Sequence, residues 1–338
     1  MSEQRSAIIV NSYFDGIWPF AAEYWKALWE RTGAVEFVRI GGAEPVPIPK
    51  SSGSLRRLAL LGVDLDLAGL AALPRLEEIG LGESELGEAV RAEAERRSIR
   101  IYRSTSEGYW GQSVAEFALG LSLAALRRIP QTHRQILSDL APWDYSPPAS
   151  GAGHGQRGSQ FGDDPQFANG TIAGKRVRIV GAGNIGSRFA SFCRMLGADV
   201  ASWDPFAQEP GFHRAGARRE WHLAELVRDA EIFAPMLPLT DTTRGLVTAA
   251  LIDALPRGCL VVLVTRATIC DMAAVRRRVL EGELALAADV FDVEPLALDD
   301  PLLGRDNVVH TPHNAGRTIH ANEQFVQNIA GQFPPLAR

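Results

Sequence analysis

The sequence is poor in cysteine, and its few cysteines show no pairing pattern. Cys193, Cys259 and Cys270 are the only three, and none of them forms a C-x-x-C motif. Neither a disulfide framework nor a zinc cluster is therefore predicted. The N-terminal residues also lack the long apolar core of a secretory signal peptide. These absences predict a protein of the reducing cytoplasm.

Long apolar runs and an excess of one charge are absent as well. The most apolar stretch, residues 114–126, contains Glu116 and is shorter than the roughly 20 residues of a transmembrane helix. Acidic side chains number 40 and basic ones 35, so the formal net charge is −5. We therefore expect neither a membrane nor a nucleic acid as a partner. With 338 residues, of which 46% are hydrophobic, the chain is long enough for two globular domains.

Short β-rich runs alternate with helical patterns in two parts of the chain. The predicted strands of the first part are 7–10, 37–40, 58–61 and 99–102, and those of the second are 177–180, 199–203, 231–236, 259–265, 284–290 and 308–310. Strands that alternate with helices indicate a parallel sheet covered on both faces. We therefore predict an α/β protein with two doubly wound parallel-sheet domains.

Two segments between these parts have a different character. Residues 113–128 are apolar on nearly every side, and Ser113 and Glu116 have the spacing of a capping box at a helix start. A helix that is apolar all round is expected to be buried between domains or between subunits. Residues 142–170 are rich in proline and glycine and almost free of aliphatic side chains, which predicts a long surface loop.

A glycine motif, G-A-G-N-I-G at residues 181–186, directly follows a predicted strand and opens an amphipathic helix. In a dinucleotide site Gly181 permits the tight turn, Gly183 lets a pyrophosphate approach the backbone, and Gly186 lets helix and strand pack closely. The helix N-terminus offers N–H groups and the positive end of a dipole to the phosphates. The motif therefore predicts dinucleotide binding.

An acidic residue and a second glycine motif refine this prediction. Asp204 lies eighteen residues after Gly186, at the end of the next predicted strand. Its carboxylate is expected to accept hydrogen bonds from both hydroxyls of the adenine ribose and to repel a 2′-phosphate, so NAD is preferred over NADP. Residues 153–158 also match G-x-G-x-x-G. Because no strand precedes them and no helix follows, we interpret them as a flexible loop.

Three polar residues follow the ends of later predicted strands, where open α/β sheets bind their ligands. They are Arg266, Glu294 and His313. An arginine can clamp a carboxylate through two parallel hydrogen bonds. A histidine can transfer a proton near neutral pH, and a carboxylate can keep that histidine charged and oriented. Because a dinucleotide site is also predicted, we interpret the three residues as one catalytic set.

These motifs occur in an order that resembles the D-isomer-specific 2-hydroxyacid dehydrogenase family. The resemblance covers residues 113–316 and rests on S-V-A-E at 113–116, R-R-I-P at 127–130, G-A-G-N-I-G at 181–186, D-P at 204–205, P-L-T at 238–240, T-R-G-L at 243–246, T-R-A at 265–267, D-V-F-D-V-E-P-L at 289–296 and T-P-H at 311–313. It implies a Rossmann NAD domain, residues 113–312, inserted into a flavodoxin-like substrate domain of residues 1–112 and 313–338. It also implies a cleft between the domains and a homodimer.

The resemblance also implies roles for individual residues. Arg266 would hold the substrate carboxylate, His313 would be the general acid and base, and Glu294 would be its partner. Asp289 would bind the nicotinamide carboxamide, and Gly82 would belong to a glycine-rich substrate loop at 80–85. No metal site is predicted. The predicted cofactor-binding residues are Gly181, Gly183, Asn184, Ile185, Gly186, Asp204, Pro238, Thr243, Thr265 and Asp289.

The chain departs from the family pattern at three places, one of which is residues 104–110, where S-T-S-E-G-Y-W replaces the family's Asn-Thr-Pro-Gly stretch. Ala267 stands where the family usually has glycine after the arginine. Glu83 and Glu85 lie in the predicted substrate loop, where they would repel an anionic substrate unless they point to solvent. The side chain of the substrate and the physiological direction of the reaction therefore stay open.

Three functions follow as hypotheses. The leading one is an NAD-dependent oxidoreductase that interconverts a small 2-oxo acid and a D-2-hydroxy acid. A second keeps the fold but uses NAD(H) binding as a signal for protein–protein contact, and the intact set of Arg266, Glu294 and His313 favours the enzyme over it. A third is a relative that acts on formate or phosphite, of which formate is disfavoured by the pairing of glutamate with histidine.

Overall fold

The computed structural model describes residues 5–41, 46–104, 110–146, 158 and 160–335. The chain divides into two compact units. Unit 1 comprises Met1–Trp110 and Arg317–Arg338, and unit 2 comprises Gly111–Gly316. Unit 1 is thus built from both ends of the chain, and unit 2 from its middle.

Unit 1 contains a five-stranded parallel sheet with the strand order β2-β1-β3-β4-β5. Its first elements are β1 (Ser6–Asn11), α1 (Ser12–Ile17), α2 (Ala21–Glu30), β2 (Val35–Ile40), β3 (Arg57–Leu61), α3 (Leu67–Ala71), β4 (Glu78–Gly82), α4 (Glu88–Arg96) and β5 (Arg100–Arg103). Every residue of β3 and β4 is buried, as is typical of central strands in a parallel sheet. The order reverses between β1 and β3, as in flavodoxin-like sheets.

Strand β4 lies where the sequence predicts a glycine-rich loop. Gly80 and Gly82 are both buried inside the strand. A Cβ on Gly80 would lie 2.9 Å from the Trp25 ring, and one on Gly82 would lie 2.7 Å from Leu61. The prediction of a loop at these glycines is therefore wrong. The physical reason is that glycine in a strand lets large side chains pack directly on the sheet.

Unit 2 contains a seven-stranded parallel sheet with the strand order β12-β11-β10-β9-β6-β7-β8. Its elements are α5 (Gly111–Leu126), α6 (Ile129–Ile136), β6 (Arg176–Val180), α7 (Asn184–Met195), β7 (Asp199–Trp203), α8 (Glu209–Ala215), β8 (Arg218–Arg219), α9 (Leu223–Val227), β9 (Ile232–Pro235), α10 (Ala249–Asp253), β10 (Leu260–Leu263), α11 (Met272–Leu280), β11 (Ala285–Ala288) and β12 (Val308–His310). The order reverses between β6 and β9, which is the doubly wound order of a Rossmann fold with one added strand. Such sheets bind ligands at the carboxyl ends of the strands beside the reversal.

After unit 2 the chain returns to unit 1 as helix α12 (Ile319–Ala330), which packs against α2 and β4. The predicted fold class is confirmed, because both sheets are parallel and the unit of Rossmann order is inserted into the unit of flavodoxin-like order. The units divide after Gly316, whereas the sequence predicts the second boundary before residue 313. Residues 313–316 group with unit 2 because Asn314 and Ala315 donate backbone hydrogen bonds to Asp289.

Helix α5 begins two residues earlier than the sequence predicts, at Gly111. The predicted capping box is wrong, because Ser113 lies inside the helix and its Oγ donates to the carbonyl of Ala315 at 2.5 Å. One face of the helix packs against β10, β11, β12 and α7. The apolar side chains that remain half-buried on α5 include Phe117, Leu119 and Leu123.

The described part of the predicted loop at 142–170 contains neither an α-helix nor a strand, and a 3₁₀ turn, Ala141–Trp143, overlaps its start. Apart from Gly158, the second glycine motif lies outside the described residues. In the part of the chain that the structure describes, none of the helices has the length and apolar character needed to cross a membrane.

Candidate active site

The glycine motif connects the carboxyl end of β6 to the first turn of α7, beside the reversal of strand order. Gly181 has a φ of +108°, and a Cβ there would lie 2.6 Å from the carbonyl oxygen of Met236. A Cβ on Gly186 would overlap the carbonyl oxygen of Gly181. Both positions therefore require glycine for the tight turn and for the close packing of helix on strand.

Gly183 differs from the other two glycines, because a Cβ there would meet no atom within 4 Å. It is the N-cap of α7 and has no side chain with which to cap the helix. The 12-residue helix thus begins beside open space and presents the positive end of its dipole there. Asn184 and Ile185 form its first turn and are partly exposed. This arrangement fits a pyrophosphate.

Two arginines contact the first turns of α7: Arg188, on that helix, and Arg214, on α8. Arg188 donates to the backbone carbonyl and the side-chain oxygen of Asn184, and Arg214 donates to Ser187 Oγ at 2.9 Å. Burial, together with the nearby charge of Arg214, lowers the pKa of Arg188. The two guanidinium groups make this end of the helix more attractive to phosphate. No motif marks them in the sequence.

Asp204 directly follows β7, and only 9% of the residue is exposed. Its Oδ1 accepts the backbone N–H groups of Phe206 and Ala207, both at 2.9 Å, and its Oδ2 accepts that of Ala182 at 2.8 Å. A carboxylate offers about four lone-pair positions, so one position remains, on Oδ2. The sequence predicts bonds to both ribose hydroxyls, whereas this geometry leaves an acceptor for one.

A buried carboxylate organises the loop that follows β12. Asp289 directly follows β11 and is fully buried. Its Oδ1 accepts from Thr311 Oγ1 at 2.6 Å and from the N–H of Asn314 at 3.0 Å, while Oδ2 accepts from the N–H of Ala315 at 2.8 Å. Bonds to a charged acceptor are strong, so this side chain holds the loop. Its predicted contact with a nicotinamide carboxamide stays a prediction.

His313 stands on this loop in a left-handed backbone conformation, with a φ of +55°. A residue other than glycine in that region costs roughly 1 kcal/mol or more, and such residues cluster at functional sites. The imidazole Nδ1 lies 2.7 Å from Glu294 Oε2, and Glu294 Oε1 accepts the N–H of Phe291 at 2.8 Å. The structure therefore brings Glu294 and His313 together. Because Nδ1 faces the carboxylate, Nε2 is the nitrogen left for a substrate.

Arg266 follows β10, which neighbours β11, and its side chain is exposed. Its Nη1 donates to the carbonyl of Thr265 at 2.7 Å, and Thr265 Oγ1 donates to the carbonyl of Pro235 at 3.2 Å. Since β10 and β12 flank β11, Arg266 and His313 follow strand ends that are roughly 10 Å apart on one sheet edge. No hydrogen bond or ion pair joins Arg266 to Glu294 or His313, all three of which are described residues, so the place of Arg266 in the set stays a prediction.

For the other residues that the sequence predicts to contact ligands, the structure shows only contacts within the protein. Thr243 Oγ1 donates to the carbonyl of Pro238 at 2.6 Å and accepts the N–H of Thr240 at 2.8 Å. The hydroxyl thus closes a turn after β9, and cofactor contacts of Pro238 and Thr243 stay predictions. Gly82 is buried within β4 of unit 1, so its contact with substrate also stays a prediction.

The two acidic residues after β4 differ in their surroundings. Glu85 forms ion pairs with Arg103 at 2.8 Å and with Arg91 at 2.7 Å. The Arg103 guanidinium, supported by Arg91, lowers the pKa of Glu85 to about 2. Glu83 is exposed, has a φ of +52°, and forms no ion pair with any described residue. Of the two, Glu83 is therefore the residue whose charge would act on a nearby anion.

Comparison with known proteins places the middle of the chain in one family. Residues 119–315 match the family model described as D-isomer specific 2-hydroxyacid dehydrogenase, NAD binding domain. The chain is 28% identical to D-3-phosphoglycerate dehydrogenase of Haemophilus influenzae over 78% of this chain and 59% of that protein. It is 30% identical to glyoxylate reductase of Aeropyrum pernix over 70% of this chain and 68% of that protein. Matched D-3-phosphoglycerate dehydrogenases of H. influenzae, Archaeoglobus fulgidus and Methanocaldococcus jannaschii are covered over only 59%, 39% and 39% of their lengths.

Solved structures share the fold along almost the whole chain. A D-isomer specific 2-hydroxyacid dehydrogenase of Lactobacillus delbrueckii ssp. bulgaricus, in its NAD complexed form, matches with a TM-score of 0.69 at 17% identity, over 96% of this chain and 95% of that one. One from Xanthobacter autotrophicus Py2, in complex with NADPH and MES, matches with a TM-score of 0.60 at 25% identity, over 98% and 97%.

Proposed function

Because the chain belongs to the D-isomer-specific 2-hydroxyacid dehydrogenase family, we propose that it interconverts a small 2-oxo acid and the corresponding D-2-hydroxy acid. Its cofactor is NAD(H), which supplies or accepts the hydride when bound. The observation that carries the proposal is the contact between His313 and Glu294, on the same sheet edge as Arg266. These three residues supply the binding group and the acid–base group that the reaction needs.

Arg266 binds the substrate carboxylate, because its planar guanidinium can donate two parallel hydrogen bonds to the two oxygens. His313 exchanges the proton through Nε2. In reduction the imidazolium gives this proton to the carbonyl oxygen, and in oxidation the neutral imidazole takes the hydroxyl proton. Glu294 orients the ring through its contact with Nδ1.

The nucleotide half of the site lies at the glycine motif. The open space at Gly183 and the N-terminus of α7 would receive the pyrophosphate, since both offer backbone N–H groups without a side chain in the way. The remaining acceptor position on Asp204 would take one hydroxyl of the adenine ribose.

The direct test is a screen of small 2-oxo acids, including glyoxylate and pyruvate, in which NADH absorbance is followed. The wild-type protein should oxidise NADH with at least one of them, and His313→Ala should reduce turnover by about 10²–10⁴. His320→Ala changes an exposed histidine on α12 and serves as the control. NADH binding without turnover of any acid would instead favour a signalling role, and an unchanged rate in His313→Ala would contradict the assigned chemistry.

We also propose that the protein is a cytoplasmic homodimer. Ile136, Leu137, Leu140 and Trp143 are exposed on unit 2, and a symmetric contact with a second copy would remove such apolar side chains from water. The cysteines are free and buried, which suits a reducing compartment. Light scattering at micromolar concentration should give twice the chain mass, and a monomer would contradict the proposal.

A further inference from the structure

Arg219 places a positive charge beside the ribose end of the nucleotide half of the site. It is the last residue of β8, which pairs with β7. Its guanidinium carbon lies 4.0 Å from the centre of the Trp221 ring and 4.8 Å from that of Phe212. Its Nη2 lies 3.4 Å from the backbone carbonyl oxygen of Asp204. Two aromatic rings therefore hold the guanidinium next to Asp204, the acidic residue that directly follows β7.

No carboxylate among the described residues pairs with this guanidinium. Glu220, the next residue, forms an ion pair with Arg218 at 3.0 Å and accepts the N–H of Trp221 at 2.9 Å. Asp204 presents its carbonyl oxygen to Arg219, while its carboxylate oxygens accept backbone N–H groups. A held cation without an anionic partner favours a ligand that carries negative charge.

We propose that Arg219 binds the 2′-phosphate of NADP(H), so that the site accepts NADP(H) as well as NAD(H). This inference rests on the proposed function and extends it to the choice of cofactor. A guanidinium matches a phosphate with two parallel hydrogen bonds. Asp204 opposes that phosphate less than the sequence predicts, because three N–H dipoles face its carboxylate and one acceptor position remains.

Two nucleotide fragments isolate the contribution of the 2′-phosphate without any turnover. Adenosine 2′,5′-bisphosphate carries this phosphate and 5′-AMP lacks it, and calorimetric titration of the full chain gives the Kd of each. The wild-type protein should bind the bisphosphate at least as tightly as 5′-AMP. Arg219→Gln should weaken the bisphosphate by roughly tenfold or more and 5′-AMP by less than about threefold. Arg218→Gln, on the same strand but already paired with Glu220, is the matched control and should change neither.

A wild-type preference for 5′-AMP of about tenfold or more, or an equal loss of both fragments in Arg219→Gln, would overturn the inference. Ionic strength gives a check that needs no variant, because added salt should weaken the bisphosphate more than 5′-AMP. An NADH titration distinguishes a failure of the proposed function from a failure of the role assigned to Arg219. If NADH does not bind, the proposed function fails; if NADH binds and the bisphosphate does not, only the role of Arg219 fails.

Discussion

The carboxylate of Asp289 accepts the backbone N–H of Ala315 at 2.8 Å, and this bond anchors the loop on which His313 stands. Thr311 and Asn314 donate to the other oxygen of the same carboxylate. The three bonds stabilise a stretch that contains the left-handed backbone of His313. We therefore expect Asp289 to position His313, the proposed acid–base group, through the loop.

Asp289→Asn should lower both kcat and stability. The amide keeps the size of the side chain but replaces one acceptor oxygen with an NH₂ group, which would face a backbone N–H donor. We expect kcat to fall by roughly tenfold and the free energy of unfolding to fall by about 2 kcal/mol. Thr311→Val removes one of the three bonds and should cost about 1 kcal/mol. Steady-state kinetics and denaturant unfolding check both values, and wild-type kcat in Asp289→Asn would show that the loop does not depend on this residue.

Glu294→Gln should lower kcat in both directions of the reaction. The carboxylate lies 2.7 Å from His313 Nδ1, and a hydrogen bond to a charged acceptor is stronger than one to a neutral amide. The imidazole should therefore be oriented less firmly in the variant, and we expect kcat to fall by roughly tenfold. Steady-state kinetics check this value. Glu281→Gln, on an exposed part of the chain, is the control, and a wild-type kcat in Glu294→Gln would rule the pair out.

Arg266→Lys should separate the planar clamp from its charge. Lysine keeps the positive charge but loses the two parallel hydrogen bonds. We expect kcat/KM to fall at least tenfold, or about 1.4 kcal/mol, while the Kd of NADH stays near the wild-type value. Arg277→Lys, at an exposed ion pair on α11, should change neither. An equal loss of NADH affinity in Arg266→Lys would mean that Arg266 serves the cofactor or the fold.

Two glycines of the dinucleotide motif should respond to alanine in different ways. Gly183→Ala adds a methyl group that meets no protein atom within 4 Å, so the variant should fold normally but bind NADH at least roughly tenfold more weakly. Gly186→Ala forces a clash with the carbonyl oxygen of Gly181 and should lower the free energy of unfolding by about 1–3 kcal/mol. Thermal unfolding and NADH titration distinguish the two. Normal NADH affinity in Gly183→Ala would contradict the assignment of the pyrophosphate to this position.

The three cysteines should be unreactive in the folded protein. Burial raises the pKa of the Cys193 and Cys270 thiols to about 12 and raises that of Cys259 as well. Since the thiolate is the reactive form, a thiol reagent at about pH 8 should modify none of them. All three should react after denaturation, which supplies the control. Rapid modification of the native protein would show that one of them is reached from solvent.

Local patterns were sufficient to predict the two parallel sheets, whereas the insertion of one domain into the other was implied by the family resemblance. Alternating strands and helices predict both parallel sheets, because burial on two faces imposes a continuous apolar run on each strand. The glycine motif can also be recognised from sequence alone, because the turn, the open backbone and the helix N-terminus that it requires all lie within residues 181–186. Arg266, Glu294 and His313 were predicted as a site because ligands of parallel sheets lie at the carboxyl ends of the strands, and their roles stay a prediction.

Other features depend on contacts between residues that are distant in the sequence, and only the tertiary structure decided them. Gly80 and Gly82 have the composition of a loop, but Trp25 and Phe325 pack against them and make the segment a strand. The carboxylate of Asp204 is largely occupied because the folded chain brings three backbone N–H groups to it.

The same holds for Asp289 and for Arg219. Asp289 reaches a loop 22 to 26 residues further along the chain, and Arg219 reaches the end of a neighbouring strand. A hydrogen bond of this kind depends on strand register and on the direction of one side chain. Both are set by the packing of the whole unit, because no periodicity or motif in the sequence encodes which distant partner a side chain will meet.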